Sequence, residues 1–283
     1  MLSPSAELLI PMRPAGAEEI GYLSHNGEQL YFVRHRARGR QRAKALLAGP
    51  FAIERQLSYT TWVRWARALA SAGFEVLRFD YRGTGESTGR FDTSCMSDWT
   101  QDLLACLELL RDGNDTPTLL IGVRMGALLA AEAFEKGEGD GLLLWDPPAS
   151  GQVALHETLR RKLASDMLEV PNGTRRTRAD YVSQLTAGEL VEVEGYMWSR
   201  RLWVDSARHS LKIPGPAERR PWKILRLSGG PRKATPSQHT STVPIPMPPF
   251  WWHGPSVVAE VSTLFQRSLA IASEFAESVG GSP

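Results

Sequence analysis

The stretch that decides the fold is "TLLIGVRMGALLA", residues 118–130. A mostly apolar run leads into a corner bounded by Gly122 and Gly126, and a helical pattern begins directly after it. This arrangement predicts a buried strand that turns sharply into a helix. Many hydrolases present a catalytic serine at such a corner, in the pattern Gly-x-Ser-x-Gly. The central residue here is Arg124, whose guanidinium stays protonated and has no nucleophilic lone pair.

Strand and helix patterns alternate on both sides of this corner. Apolar strands are predicted at 29–35, 44–49, 74–80, 118–123, 141–146 and 222–229. Helices are predicted at 97–111, 125–136 and 256–278, and a further helical period runs from 62 to 70. Strands that are apolar throughout and separated by amphipathic helices indicate a sheet covered on both faces. We therefore predict an α/β fold with a mostly parallel central sheet and helices on both faces.

The alternation breaks between Pro147 and Pro221. Helices are predicted there at 155–169 and 176–188, but the pattern of a buried parallel strand is missing. We interpret this stretch as an inserted cap over the carboxyl edge of the sheet. The predicted division is a core formed by residues 1–146 and 222–283 and a cap formed by residues 147–221.

The composition argues against several classes of protein. Lys and Arg total 33 against 31 Asp and Glu, so the net charge of +2 gives no electrostatic reason to expect nucleic acid. The arginine-rich stretch 36–42 has no interleaved aromatic residues, and we interpret it as a solvated hairpin tip. No run of about 18 apolar residues exists, so no membrane span is predicted. Cys95 and Cys106 lack metal-ligand spacing; we expect them to pack in the core of a cytoplasmic protein. The N-terminal stretch does not have the pattern of a signal peptide. The sequence leaves the oligomeric state unknown.

Two motifs together resemble a known superfamily. "GFEVLRFDYRGTGES", which begins at Gly73, is followed by "IGVRMGA", which begins at Ile121. These segments resemble the α/β-hydrolases, in particular the branch that includes serine aminopeptidases and lipases. The resemblance extends from about residue 27 to residue 278 and implies the α/β-hydrolase fold. It also implies that "PFAIERQ", with Pro50 and Phe51, forms the oxyanion-hole loop.

Further segments resemble a narrower group. "PFAIE", "GVRMGALLA", "LLLWDPPASG", "AGELVEVEGYMWS" and "PPFWW" together resemble the bacterial exosortase A system-associated hydrolases of type 2. That group also carries arginine at the position of the nucleophile, so the resemblance implies that Arg124 is a trait of the group. The present sequence departs from the group at "WWHG".

The catalytic triad implied by the superfamily is incomplete in this sequence. Arg124 replaces the nucleophile, and the stretch 230–233, where the acid is expected, contains no Asp or Glu. His253, before the last predicted helix, is the candidate base, although a histidine after two tryptophans also suits a packing role. We therefore assign no catalytic residue from the sequence.

Other candidates for a nucleophile or a base have weak support. Ser58 and Ser87 carry hydroxyl groups, but we interpret them as N-cap or turn residues. Asp80 could act as a base, but we interpret it as a residue that fixes a turn. The glycines after Asp80 do not have the spacing of a dinucleotide-binding turn. The six histidines form no H-x-x-x-H pair, so neither a metal nor a cofactor is predicted.

Three roles are open for Arg124. It could form a structural salt bridge with Glu54 or with Asp146. Glu54 follows the predicted strand 44–49 and Asp146 ends the predicted strand 141–146, and these two strands flank the strand 118–123 in the sheet order of this fold. It could bind an anionic ligand, because helix N-termini and guanidinium groups both favour anions. It could also face solvent without a role. The candidate pocket or structural cluster comprises Pro50, Phe51, Glu54, Arg124, Met125 and Asp146.

These observations lead to three hypotheses about function. The first is an α/β-hydrolase relative with a disabled triad that binds a small acyl-bearing or anionic molecule under the cap. The second is an active hydrolase of an ester, thioester or peptide that uses other residues. The third is an interaction protein that exposes Trp198 and Trp203 on its cap, because exposed aromatic patches mark interfaces.

Overall fold

The computed structural model describes residues 18–169, 176–215, 217–228, 241–252 and 261–280. The strands are β1 (Glu18–His25), β2 (Glu28–His35), β3 (Ala43–Ala48), β4 (Phe74–Phe79), β5 (Thr118–Val123), β6 (Gly141–Trp145), β7 (Val191–Val193), β8 (Tyr196–Trp198), β9 (Trp222–Leu227) and β10 (Thr242–Ile245). The α-helices are α1 (Ala52–Ser71), α2 (Met96–Arg111), α3 (Met125–Glu135), α4 (Gly151–Glu169), α5 (Arg178–Ala187), α6 (Arg200–Ser206) and α7 (Ser262–Gly280). Single 3-10 turns occupy Phe91–Thr93 and Phe250–Trp252.

Eight of the described strands form one sheet in the order β1-β2-β4-β3-β5-β6-β9-β10. The pairs from β4 to β10 are parallel, whereas β2 is antiparallel to both β1 and β4. Strands β3, β4, β5 and β6 are buried along their whole length. This burial explains why their sequences are continuously apolar rather than alternating. The predicted α/β architecture is confirmed.

The two faces of the sheet contact separate hydrophobic clusters. One cluster includes Leu46, Leu120 and residues of α2 and α3. The other includes Leu47, Ile121 and residues of α1 and α7. Successive side chains of a strand point to opposite faces, so neighbouring residues such as Leu46 and Leu47 enter different clusters.

Strand β5 lies in the middle of the sheet, between β3 and β6, and Arg124 stands between it and α3. The predicted strand–corner–helix arrangement is confirmed. The two glycines of the corner are required by close packing. A Cβ atom on Gly126 would lie 2.2 Å from the carbonyl oxygen of Gly49 and 2.4 Å from that of Ala48. Helix α3 therefore packs directly on the end of β3.

We expect Gly126→Ala to lower the free energy of unfolding by about 3 kcal/mol or more, since the added methyl meets backbone atoms that cannot move aside. Gly215→Ala is the matched control, because a Cβ atom at Gly215 would have no heavy atom within 4 Å. We expect the control to change stability by less than ~0.5 kcal/mol. Urea unfolding curves measure both changes, and equal midpoints for the two variants would contradict the packing argument.

Several local predictions are wrong. Residues 36–42 do not form a hairpin tip, because β2 pairs with β1 and β4 rather than with β3. Ser58 is not an N-cap: α1 begins at Ala52, and the Ser58 hydroxyl, inside the helix, donates to the carbonyl oxygen of Glu54 at 2.6 Å. Strands β1 and β10 were not predicted at all. Ser87 and Asp80 do fix the turn after β4, through hydrogen bonds to Tyr31 N and Glu86 N.

The segment between β6 and β9 packs onto the α2–α3 side of the sheet. Its buried residues join the same hydrophobic cluster as α2 and α3, and they include Leu155, Leu159, Leu185, Trp198 and Trp203. Trp198 and Trp203 are only 1% and 5% exposed. The exposed tryptophans required by the interaction hypothesis are therefore not found. Trp198 and Trp203 lie in the short elements β8 and α6, and a pattern over so few residues cannot show which face is covered.

Both cysteines are free and buried, as expected for core packing. None of the helices within the described ranges is both long enough and apolar enough to cross a membrane.

Candidate functional site

Three residues with positive φ angles meet at the carboxyl edge of the sheet. Ala52 follows β3 with φ 51°, Arg124 follows β5 with φ 53°, and Asp146 follows β6 with φ 43°. Residues other than glycine rarely adopt this region, and such strain concentrates at functional sites. The backbone at Arg124, with ψ −121°, holds the side chain above the corner and at the N-terminus of α3.

The Arg124 guanidinium is surrounded by three carboxylates. Its Nε lies 3.3 Å from Glu54 Oε2, its Nη1 lies 3.7 Å from Asp146 Oδ2, and its Nη2 lies 2.6 Å from Glu157 Oε2. Its Nη2 also donates to Glu54 Oε1 at 3.4 Å, and the guanidinium carbon lies 5.3 Å from the centre of the Trp251 ring. Both carboxylates named from the sequence, Glu54 and Asp146, thus lie against Arg124.

Two further arginines extend this cluster. Arg161 Nη1 lies 3.6 Å from Glu54 Oε1, and its Nε lies 3.2 Å from Glu194. Arg226 Nη1 lies 3.7 Å from Asp146 Oδ1. Three arginines therefore share four carboxylates. The ion pairs connect α1, the β5–α3 corner, the end of β6, α4 and β9, so the cluster joins the sheet edge to the segment that follows β6.

Burial and charge have opposing effects in the cluster. Burial alone lowers the pKa of Arg124, but the carboxylates of Glu54, Glu157 and Asp146 outweigh it and raise that pKa. Burial raises the pKa of Asp146, although Arg124 and Arg226 act in the opposite direction. Arg124 is only 4% exposed. A buried guanidinium is tolerated only when it is paired, and here the carboxylates supply that pairing.

The predicted oxyanion-hole residues lie next to this cluster. Phe51 precedes the first residue of α1 and packs against Trp99 with ring centres 5.7 Å apart. Phe51 and Met125 are 3% and 1% exposed, and Pro50 is also buried. Met125 is the first residue of α3, where a backbone N–H has no partner within the helix. A backbone N–H of this kind is therefore available at the corner, directly after Arg124.

The predicted base cannot be placed. His253 lies outside the described residues, as does the stretch 230–233 where the sequence lacks a triad acid. Trp251, two residues before His253, is fully buried against Phe250, and its ring lies beside the Arg124 guanidinium, so the described chain reaches the corner at Trp251.

Comparisons with known proteins give the same architecture. The family described as "Serine aminopeptidase, S33" matches residues 58–185, which is less than half of the chain. Alpha/beta hydrolase domain-containing protein 10 from mouse aligns over 92% of this chain and 99% of its own, with a TM-score of 0.54 and 15% identity. Est1E from Butyrivibrio proteoclasticus, solved with ferulic acid, aligns over 91% and 98%, with a TM-score of 0.58 and 15% identity. The chain has the α/β-hydrolase fold.

One curated relative has higher local identity. The human mitochondrial palmitoyl-protein thioesterase ABHD10 is 33% identical over 81 residues, and the match covers 26% of each chain. The chain thus matches only about a quarter of the length of this relative. In the sequence, Arg124 is the central residue of Gly122-Val123-Arg124-Met125-Gly126, where the pattern Gly-x-Ser-x-Gly has serine.

A second cluster of polar side chains in this chain contains a serine, a histidine and two carboxylates. His209 Nδ1 lies 2.9 Å from Glu132 Oε2, and its Nε2 lies 3.3 Å from both Ser97 Oγ and Asp205 Oδ2. The Ser97 hydroxyl donates to Asp205 Oδ1 at 2.7 Å. The Ser97 hydroxyl proton is directed at Asp205 rather than at the imidazole, and each ring nitrogen of His209 lies against a carboxylate. This second cluster therefore fastens α6 to α2 and α3 rather than activating Ser97.

This contact gives a prediction about acid stability. The hydrogen bond from His209 lowers the pKa of Glu132 to about 2, against the opposing effect of burial. A depressed carboxyl pKa stabilises the fold fully above the ordinary value near 4.5, and that contribution disappears as the pH falls towards 2. We expect Glu132→Gln to be less stable than the wild type at pH 5 and the difference to shrink steadily down to pH 2. Denaturant melts at each pH test this, and a constant difference would contradict it.

Sequence reasoning missed Glu157 and His209. Glu157 makes the shortest ion pair to Arg124, yet its helix could be predicted only as an amphipathic segment of unknown orientation. His209 lies in an irregular stretch after α6, and the residues around it form no motif that indicates a functional or structural role. Only the three-dimensional packing of the segment brings either residue to its partner.

Proposed function

We propose that this chain is a binding protein built on the α/β-hydrolase fold and that it has no serine-hydrolase activity. The observation that carries the proposal is Arg124 at the position of the nucleophile, buried and held by Glu54, Asp146 and Glu157. Arginine cannot attack a carbonyl carbon, and ion pairs at both edges of the guanidinium keep it in place. A fold can persist when its chemistry is lost, because function depends on the site rather than on the fold.

The ion pairs also argue against an anionic ligand at Arg124 itself. Three carboxylates lie within 4 Å of its single positive charge. A further anion would have to displace one of them or accept their repulsion. We therefore assign Arg124 a structural role in fastening the proposed cap, residues 147–221, to the core.

A groove within the proposed cap suits an anionic ligand better. It lies between α4 and α5, has a volume of about 560 Å³, and is lined by His156, Arg160, Thr177, Arg178, Ala179 and Val182. Ligand sites typically have volumes of ~300–1,000 Å³. Within the described parts of the chain, neither Arg160 nor Arg178 has a carboxylate within 4 Å. Burial, together with the charges of Arg178 and Arg160, lowers the pKa of His156, as expected in a positively charged groove.

We propose a small molecule with a carboxylate or similar anionic head and an acyl chain as the ligand of this groove. The two arginines would bind the head group, and Ala179, Val182 and the Trp203 ring, which stands edge-on to His156 at 5.0 Å, would contact the chain. The similarity to a protein named as a palmitoyl-protein thioesterase supports an acyl-bearing ligand. The resemblance to exosortase A system-associated hydrolases leads us to propose a bacterial, cytoplasmic setting.

Labelling with a broad fluorophosphonate probe tests the loss of catalysis. We expect no covalent labelling of the wild-type protein under conditions in which an active serine hydrolase is labelled fully. If labelling occurs, the proposal of a disabled nucleophile fails. Ser97→Ala then decides whether the cluster around His209 is responsible, which would support the alternative of an active hydrolase.

Calorimetric titration with dodecanoate tests the ligand. We expect binding by the wild type, about tenfold weaker binding by Arg160→Met or Arg178→Met because each removes one charged hydrogen bond, and little binding of dodecanol. Arg208→Met is the control, since Arg208 is 76% exposed in its side chain and does not line the groove. Equal affinities for all of these variants would exclude the groove as the site.

A further inference from the structure

Arg78 is a buried charge away from the corner. It is 8% exposed and stands near the end of β4, between Val33 of β2 and Leu47 of β3 in the sheet register. Its side chain lies on the face covered by α1. Its Nη1 lies 3.4 Å from the hydroxyl of Tyr59, and its guanidinium carbon lies 5.5 Å from the centre of the Tyr59 ring.

The partners of Arg78 are neutral. Its Nε donates to His35 Nε2 at 3.3 Å. Burial, reinforced by the positive charge of Arg78, lowers the pKa of His35 to about 4, so the imidazole is uncharged at neutral pH. Among the residues that the structure describes, no carboxylate lies within 4 Å of the Arg78 guanidinium. An unpaired buried guanidinium is costly, so Arg78 is expected to have an anionic partner.

The two buried or half-buried carboxylates nearest in the sequence and the sheet are paired with other arginines. Asp80 is held by Arg55, with Nη2 to Oδ2 at 2.7 Å. Glu18 is held by Arg67, with Nε to Oε1 at 2.6 Å. Both carboxylates are therefore paired with other arginines, and Arg78 has no carboxylate of its own among the described residues.

A small cavity adjoins Arg78 at this point. Its volume is about 20 Å³, and its lining includes Arg55, Ser58, Tyr59, Trp62, Arg78 and Asp80. A cavity of this size holds about one water-sized particle. Trp62 contributes a buried indole N–H that has no hydrogen-bond partner within the described residues, and Trp62 is only 7% exposed. The cavity therefore combines a cation with a free neutral donor.

We propose that this cavity binds one monovalent anion of the size of chloride, held by the guanidinium of Arg78 and the indole N–H of Trp62. The anion would pair with the guanidinium of Arg78 and satisfy the donor of Trp62. The cavity is also lined by Gly49 and Pro50, so the site lies beneath the loop between β3 and α1. This inference is independent of the ligand proposed for the groove between α4 and α5.

Thermal unfolding in sodium chloride and in sodium gluconate at equal concentrations tests the site. Gluconate is too large for the cavity. Because a ligand that binds only the folded state stabilises it, we expect chloride to raise the unfolding temperature of the wild type in a saturable manner relative to gluconate. Equal unfolding temperatures in the two salts would overturn the proposal.

Two variants and a control locate the effect of chloride. Arg78→Met should abolish the response to chloride and be at least as stable as the wild type in gluconate, since it removes a buried charge. Trp62→Phe should retain the response with about a tenfold larger Kd, because one hydrogen bond is lost. Arg90→Met removes the same charge from a side chain that is 75% exposed, and it should respond like the wild type. If Arg78→Met keeps the full response, the anion does not bind at this site.

Bromide provides a direct observation on the wild-type protein. Crystals soaked in sodium bromide should show an anomalous peak within about 3.5 Å of both the Arg78 guanidinium and Trp62 Nε1, the range of hydrogen-bond contacts. Absence of a peak there while exposed bromide sites are occupied would contradict the proposal, even if the variants proved difficult to fold.

Discussion

Arg124→Met is expected to lower the free energy of unfolding by about 3–5 kcal/mol, the cost of breaking a buried ion pair by removing one partner. The substitution removes the one charge that contacts Glu54, Asp146 and Glu157 together, and leaves only Arg161 beside Glu54 and Arg226 beside Asp146. The side chain of Glu54 is 6% exposed, so solvent can do little to relieve the repulsion. Methionine fills a similar volume, and the loss therefore reports the charge rather than a cavity.

A double-mutant cycle separates the pair from its surroundings. Glu54→Gln should also destabilise the protein, because it leaves Arg124 with two partners and takes one from Arg161. The double variant should lose less free energy of unfolding than the two single variants lose in sum, because each single variant already breaks the same contact. Urea unfolding of the four proteins measures the coupling, and strict additivity would contradict the structural role of Arg124.

Arg226→Met is the control for this cycle. Its side chain is 40% exposed, and it contacts the same cluster through Asp146 at 3.7 Å. Exposed ion pairs contribute only ~0–1 kcal/mol, so a small loss is expected. A loss as large as that of Arg124→Met would show that the whole cluster, rather than the corner, stabilises the fold.

The central strands could be predicted because a strand that is buried on both faces has a continuously apolar sequence. β5, β6 and β4 are continuously apolar, and glycines mark the corner after β5. The edge strands escaped prediction for the same physical reason. β1 is partly exposed along its length and lacks an apolar run, and β10 contains Pro244 within a proline-rich stretch. Proline is tolerated at the edge of a sheet, where its missing N–H costs little.

The candidate site was predictable only in part. Glu54 and Asp146 follow strands that neighbour β5, so topology alone brings them towards Arg124. Glu157 belongs to α4, whose orientation depends on packing of the whole segment after β6. The same limitation explains Trp198 and Trp203, which a sequence cannot distinguish as buried or exposed. The position of Glu157 and the burial of the two tryptophans therefore depend on long-range packing, which a local sequence pattern does not report.

Arg124→Ser is expected to have no robust esterase activity, although it restores the pattern Gly-x-Ser-x-Gly. A serine hydroxyl needs a base to remove its proton, and the base needs an orienting acid. Besides the Trp251 ring, the side chains that the structure places against Arg124 are the carboxylates of Glu54, Asp146 and Glu157, and the stretch 230–233 has no acid. His209, the histidine held by carboxylates, is committed to Glu132 and Asp205.

Hydrolysis of p-nitrophenyl butyrate by Arg124→Ser and Arg124→Ala measures what the hydroxyl adds. Both variants remove the same ion pairs, so both should be assayed well below their unfolding temperatures, with folding checked by circular dichroism. We expect the two rates to agree within about tenfold, since backbone N–H donors alone leave only a residual acceleration over water. If the serine variant is more than about a hundredfold faster, a working base exists. Arg124→Ser combined with His253→Ala then identifies it, because loss of that rate assigns the base to His253.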